Sequence, residues 1–130
     1  MKSLTLAVQS TASATRVYDY AADPTNLPTW APGLCKSVAQ FDGSWIVESP
    51  SEETYGFAFV EANAFGVLDH TVETPSGEAM LNPMRVIANG PGSEIHFTVF
   101  QRAGMSDVDF ERDVGLVRAD LERLARVAGE

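Results

Sequence analysis

His70 is the residue of this chain that its neighbours place best for chemistry. It alternates with Leu68 and Val72, so the pattern predicts all three side chains on one face of a strand. An imidazole among apolar side chains can act as a general acid or base, or hydrogen-bond to a ligand carbonyl. The competing interpretation is a core histidine satisfied by a neighbouring strand.

Arg85 is the expected partner of His70, and the register of the hairpin that contains both decides how they meet. If Ser76-Gly77 forms a two-residue turn, Leu68 faces Arg85 and His70 lies diagonally from it on the same face. The two would then form a small polar spot for a carbonyl or carboxylate. If the loop is one residue longer, Asp69 faces Arg85 in a structural ion pair. A slip of one residue exchanges the faces, so both registers stay open.

Other catalytic signatures are missing from the sequence. Cys35 is the single cysteine, and a small buried hydrophobe is a better interpretation of it than a nucleophile. No spacing of His and Cys suits a metal, and no phosphate-binding loop, dinucleotide fingerprint or nucleophile elbow is found. We therefore expect neither a metal nor a cofactor, and the catalytic residues stay unknown, with His70 and Arg85 as candidates.

The elements that must position these residues follow a segregated order. Leu4, Leu6 and Val8 alternate with smaller or polar residues and predict a first strand. Two short helical pieces follow, one capped by Ser13 and reaching Ala22, the other near Asn26 to Trp30. Turn signals at hairpin spacing then separate six antiparallel strands. They are expected near Cys35–Phe41, Trp45–Ser49, Thr54–Ala62, Val67–Thr74, Ala79–Ala88 and Glu94–Arg102.

A long helix is expected at the end of the chain. Ser106 suits its N-cap, and Asp109 stands at the third helical position of a capping box. Apolar residues then recur at steps of three and four and form one stripe. The stripe consists of Phe110, Val114, Val117, Leu121, Leu124 and Ala128. The sequence thus predicts an α+β fold with a seven-stranded curved sheet around this helix, since strands and helices do not alternate.

Composition limits the partners of the protein. The 130 residues fit one domain, residues 1–130, and the formal net charge is −9. That charge disfavours nucleic acid and anionic lipid surfaces, and no apolar run is long enough to enter and cross a bilayer. The lone cysteine suits a reducing compartment, so a cytoplasmic location is expected.

Four stretches of the chain resemble a known superfamily. They are Ala22–Gly33, with its Asp-Pro, Asn-Leu-Pro and Trp, then Gly66–His70, Asn82–Val86 and Gly104–Asp107. In these the chain resembles the START/birch-pollen-allergen-like superfamily, the helix-grip fold often labelled SRPBCC. More narrowly, it is similar to small bacterial polyketide cyclase-like proteins.

The resemblance implies a cavity between sheet and helix that binds hydrophobic small molecules. Fold alone does not choose a function, so three remain open. The first is binding of a small hydrophobic or aromatic molecule. The second is a polyketide cyclase or aromatase-like enzyme using the same cavity. The third is an interaction module or homodimer without a ligand. The expected ligand-binding residues are Trp30, Tyr55, Phe57, Phe59, Leu68, His70, Arg85, Phe97, Val117 and Leu121.

Overall fold

The computed structural model describes the whole chain, Met1 to Glu130. It contains eight strands, three α-helices and a short 3-10 turn at Pro24–Asn26. The strands are β1 (Ser3–Ser10), β2 (Ser37–Phe41), β3 (Ser44–Glu48), β4 (Thr54–Phe59), β5 (His70–Glu73), β6 (Ala79–Asn82), β7 (Met84–Asn89) and β8 (Gly92–Phe100). The helices are α1 (Ala14–Ala22), α2 (Leu27–Trp30) and α3 (Asp107–Val127). The α+β class and the order of its elements are as predicted.

The strands form two antiparallel ladders. One has the order β1-β8-β7, and the other has the order β2-β3-β4-β5-β6. Short turns join β2 to β3, β3 to β4 and β5 to β6, as the turn signals predicted. A longer loop, residues 60–69, joins β4 to β5, so these two strands are shorter than the predicted Thr54–Ala62 and Val67–Thr74. The first strand closes the other ladder by pairing with β8 over its whole length, from Ser3 opposite Phe100 to Ser10 opposite Ser93.

Pro83 explains why there are eight strands and not the seven expected. The predicted strand Ala79–Ala88 is divided at this residue into β6 and β7. Proline has no N–H to donate to a ladder, so a continuous central strand is disfavoured there. Its carbonyl instead accepts from Thr98 N–H at 3.0 Å, and β7 continues by pairing with β8. The split therefore lies where the two ladders meet.

Serine side chains cap both longer helices as predicted, but the expected capping box is incomplete, because the Asp109 carboxylate pairs with Arg112 at 3.1 Å. The Ser13 hydroxyl accepts from the backbone N–H of Arg16, and the Ser106 hydroxyl accepts from that of Asp109. Such caps satisfy backbone donors that have no partner within the helix. In α3, Asp107 and Asp109 lie in the first turn and Arg126 in the last, which suits the helix dipole.

The core lies between the ladders and α3. Helix α3 contacts β1 and β8, and α2 contacts α3 near its C-terminal half. Phe110, Leu121 and Leu124 of the predicted apolar stripe are almost fully buried. Cys35 precedes β2, instead of opening it as predicted, and is completely buried. None of the three helices has the length and apolar character required of a membrane span.

Candidate functional site

A cavity of about 870 Å³ lies between the sheets, α2 and α3. Cavities that hold drug-sized molecules fall in this size range. Its wall is mostly apolar and draws on both ladders, through Val72 and Met80 on one side and Phe97 and Val99 on the other. Leu116 of α3 also lines it and is 44% exposed, so the cavity opens toward solvent beside the helix.

Six of the ten residues expected to contact a ligand line this cavity: Trp30, Tyr55, His70, Phe97, Val117 and Leu121. The other four do not. Phe57 and Leu68 are buried in the core, and Phe59 packs half-buried against it. The fourth, Arg85, is exposed on the outside. The pattern of alternate residues identified the inward face of β4, β5 and β8, but it did not identify that of β7 or show which inward residues reach the cavity.

His70 is the buried polar residue at the centre of the sheet wall. Its ring stacks on Phe57 at 5.1 Å between centroids and 25° between planes. Phe59 and Phe97 pack around the ring at 5.5 and 5.6 Å. His70 is only 3% exposed, and three aromatic rings therefore hold its orientation.

The hydrogen bonding of His70 determines its protonation. Nδ1 lies 3.0 Å from the Leu68 carbonyl oxygen, which can only accept, so Nδ1 carries the proton. Burial lowers the pKa of His70 to about 4, although the Leu68 carbonyl and the charge of Asp69 act in the opposite direction. The ring is therefore neutral at pH 7. Its Nε2 presents a lone pair that no group of the protein uses.

The pairing of His70 and Arg85 predicted from sequence is wrong. Val67 lies opposite Arg85, which is neither of the two expected registers. The cause is the position of the loop: its three residues are 75–77, so that it begins one residue before Ser76-Gly77 and is closed by Thr74 N–H donating to the Glu78 carbonyl at 2.9 Å. Arg85 consequently points to the face opposite His70 and lines a separate outer groove. The expected ion pair between Asp69 and Arg85 is also wrong. Asp69 instead accepts from Met84 N–H at 2.9 Å.

Arg102 and Asn82 take the place expected for Arg85. Asn82 is the direct cross-strand partner of His70, and both side chains line the cavity. Arg102 Nη2 donates to Asn82 Oδ1 at 3.3 Å and to the Leu81 carbonyl at 3.0 Å. The guanidinium also packs over the Phe100 ring, 5.7 Å from its centroid. The sequence did not predict this pair, because the position of Asn82 beside His70 depends on the register between β5 and β6.

The helix wall of the cavity carries a buried carboxyl group. Asp120 is 7% exposed, accepts from Gly33 N–H at 3.3 Å and lies 3.1 Å from Arg123 Nη1. Burial raises the pKa of Asp120 to about 6, while Gly33 and Arg123 partly offset the effect. On the same cavity wall, Trp30 Nε1 is fully enclosed by protein and has no hydrogen-bond partner, unlike the His70 Nε2, which is not fully enclosed. The spacing of the apolar stripe could have predicted that Asp120 is buried, because Asp120 lies one helical turn from both Val117 and Leu124.

A family model described as "Polyketide cyclase / dehydrase and lipid transport" matches residues 1–129. The chain belongs to this family. The match covers nearly all of the chain, including the cavity and both walls. It confirms the resemblance to the START/birch-pollen-allergen-like superfamily that four sequence stretches had indicated. A search of curated proteins found no match to the chain.

Solved structures share the fold of this family member at low sequence identity. An uncharacterised protein of Bacillus thuringiensis has a TM-score of 0.78 and 16% identity, covering 99% of this chain and 100% of that one. The Zhui aromatase/cyclase from Streptomyces sp. R1128 has a TM-score of 0.68 and 18% identity, over 98% and 93%. Ara h 8.0201 has a TM-score of 0.70 and 14% identity, over 98% and 97%. At such identities the likeness establishes the fold alone.

The chain has neither a cluster of metal ligands nor an exposed cysteine. The structure has no group of three or more His, Cys, Asp or Glu residues placed to hold a metal ion. Cys35 donates its thiol proton to the Ser37 carbonyl at 3.2 Å, and burial raises the pKa of this thiol to about 11. Because the thiolate is the nucleophilic form, the raised pKa and the complete burial of Cys35 both disfavour its reaction at neutral pH.

Proposed function

We propose that the protein binds a small apolar or aromatic molecule in the cavity, with residues 1–130 acting as one cytoplasmic ligand-binding domain. The observation that carries the proposal is an open, largely apolar cavity of about 870 Å³ with the unpaired Nε2 of a neutral His70 on its wall. Affinity would come from burying ligand surface, at roughly 25 cal/mol per Å² before the costs of association. His70 would fix the orientation of the ligand.

A cyclase or aromatase-like reaction is the alternative. The family description and the Streptomyces neighbour support it, and a folded polyketide would occupy the same cavity. His70 would then have to carry a proton. A base with a pKa of about 4 takes up protons poorly at pH 7, since catalytic bases work best with a pKa near the working pH. This favours binding over chemistry.

A cavity-filling substitution tests the proposed site. Val117→Phe adds a ring to the cavity wall, so it should weaken binding of the neutral fluorescent probe 1-N-phenylnaphthylamine by tenfold or more. Val108→Phe is the matched control, because Val108 is 67% exposed in the same helix and does not line the cavity. Equal affinities for both variants would contradict binding in the cavity.

Two further experiments separate binding from catalysis. Native mass spectrometry of gently purified protein should show a co-purified small molecule, and a consistently bare mass would count against a stable complex. His70→Gln should shift the affinity for such a molecule. If the protein instead cyclises a linear poly-β-ketone, the same substitution should abolish turnover, and product analysis would then favour the enzyme.

A further inference from the structure

The sheet wall presents a hydrogen-bond acceptor and a donor on directly paired residues. His70 on β5 lies opposite Asn82 on β6. Directly opposed residues of antiparallel strands project to the same side with Cβ atoms about 5 Å apart. Both residues line the cavity. One ligand group placed against this wall therefore meets both side chains.

Each of the two side chains has one polar atom already used and one left over. His70 Nδ1 donates to Leu68, which leaves Nε2 as an acceptor. Asn82 Oδ1 accepts from Arg102 Nη2, which leaves the amide N–H groups of Nδ2 as donors. Arg102 is also held by the Leu81 carbonyl and by the Phe100 ring. It thus acts as a positioning residue, because it fixes which end of the amide is free.

We infer that His70 Nε2 and Asn82 Nδ2 together recognise the hydroxyl group of a neutral ring compound, a phenol or an enol. A hydroxyl can donate to Nε2 and accept from Nδ2 through one oxygen atom. A carboxylate only accepts and would face the lone pair of Nε2. An ammonium only donates and would face the amide N–H groups. The aromatic rings of Phe97 and Tyr55, which line the same cavity, suit a flat ligand body.

This inference rests on the proposed function, and naphthalene derivatives separate the two. We would measure the dissociation constants of naphthalene, 2-naphthol, 2-methoxynaphthalene and 2-naphthoate by displacement of 1-N-phenylnaphthylamine. The methoxy compound can accept but not donate, so it leaves Nε2 unpaired. Because leaving a buried polar group unpaired is costly, 2-naphthol should bind roughly tenfold tighter than 2-methoxynaphthalene. The carboxylate of 2-naphthoate should bind most weakly.

Two variants assign the preference to its residues. His70→Phe should reduce the advantage of 2-naphthol over 2-methoxynaphthalene to about one while naphthalene still binds. Asn82→Asp keeps the acceptor for Arg102 and removes the donor, so it should weaken 2-naphthol several-fold and leave naphthalene unchanged. Asn89→Asp is the control, because Asn89 is exposed and bonds only to Glu94.

The outcomes that overturn the inference differ from those that overturn the proposed function. Equal affinities for naphthalene and 2-naphthol would show that no hydroxyl is recognised. If 2-naphthoate binds most tightly, Arg102 binds an anion. That result would overturn the inference but would leave the proposed binding in the cavity intact. Failure of every naphthalene compound and of the fluorescent probe to bind would overturn the proposed function, and the inference with it.

Discussion

Replacing His70 with phenylalanine should change the pH dependence of stability in a predictable way. The phenyl ring can occupy the space between Phe57 and Phe97 but cannot titrate. At pH 7 the histidine is neutral and donates one hydrogen bond to the Leu68 carbonyl. Loss of that bond should destabilise His70→Phe by about 1 kcal/mol.

The magnitude at low pH follows from the pKa of His70 in the two states. The pKa is about 4 in the folded protein and 6.5, the ordinary value for histidine, in the unfolded chain. Between these values the unfolded chain binds a proton that the folded protein does not. The wild type therefore loses stability as pH falls from 6.5 toward 4. The full difference between the two pKa values corresponds to about 3 to 4 kcal/mol. About 3 kcal/mol is lost by pH 4, where the folded state is half titrated.

The assay is urea unfolding of both proteins between pH 4 and 7, followed by tryptophan fluorescence. Groups that titrate alike in the two proteins contribute equally to both unfolding free energies, so their contributions cancel when one free energy is subtracted from the other. The variant should be less stable than wild type by about 1 kcal/mol at pH 7 and more stable by about 2 kcal/mol at pH 4. Val47→Ala, at a fully buried residue without a titrating group, should show a constant difference. If the difference in unfolding free energy between His70→Phe and wild type is also independent of pH, the conclusion that the His70 imidazole is buried and neutral is wrong.

Three further predictions concern Gly66, Asp120 and Cys35, which lie outside the sheet wall that carries His70. Gly66 has φ +73° and its added Cβ would collide with the Val86 carbonyl, whereas Gly77 has φ +89° and open space. Gly66→Ala should therefore cost more than about 2 kcal/mol in urea unfolding and Gly77→Ala only about 1 kcal/mol, and equal costs would contradict the close approach. Asp120→Asn should gain roughly 2 kcal/mol in unfolding free energy relative to wild type as pH rises from 4 to 7, because the folded wild type keeps its proton up to about pH 6. A difference that does not change with pH would place this carboxyl in solvent. Cys35 should react with iodoacetamide at pH 8 only after unfolding in urea, and rapid labelling of the native protein would contradict its burial.

Local patterns were sufficient to predict the elements of the fold. The caps at Ser13 and Ser106 and the apolar stripe from Phe110 to Ala128 depend only on neighbouring residues, and both caps form. Turn signals similarly marked the hairpins. The one divided strand follows from Pro83, whose missing N–H was visible in the sequence but was not used.

The site was harder to predict because it depends on register. The loop between Thr74 and Glu78 begins at Pro75, one residue before the expected Ser76-Gly77 turn, and this start places Arg85 on the outside. It also brings Asn82 beside His70. Loop length is set by backbone geometry that turn residues alone leave ambiguous. The buried carboxyl of Asp120 was missed for another reason. Charged residues at buried helical positions are rare, and its place one turn before Leu124 was not weighed.

The most direct test of ligand binding at His70 is an NMR measurement on labelled protein saturated with 2-naphthol. If the ligand lies in the cavity, intermolecular nuclear Overhauser effects should connect the naphthol ring to the His70 and Phe97 rings and to the Val117 methyl groups, all of which line the cavity. Effects confined to outer residues such as Phe65 or Phe41, which are 81% and 75% exposed, would contradict it.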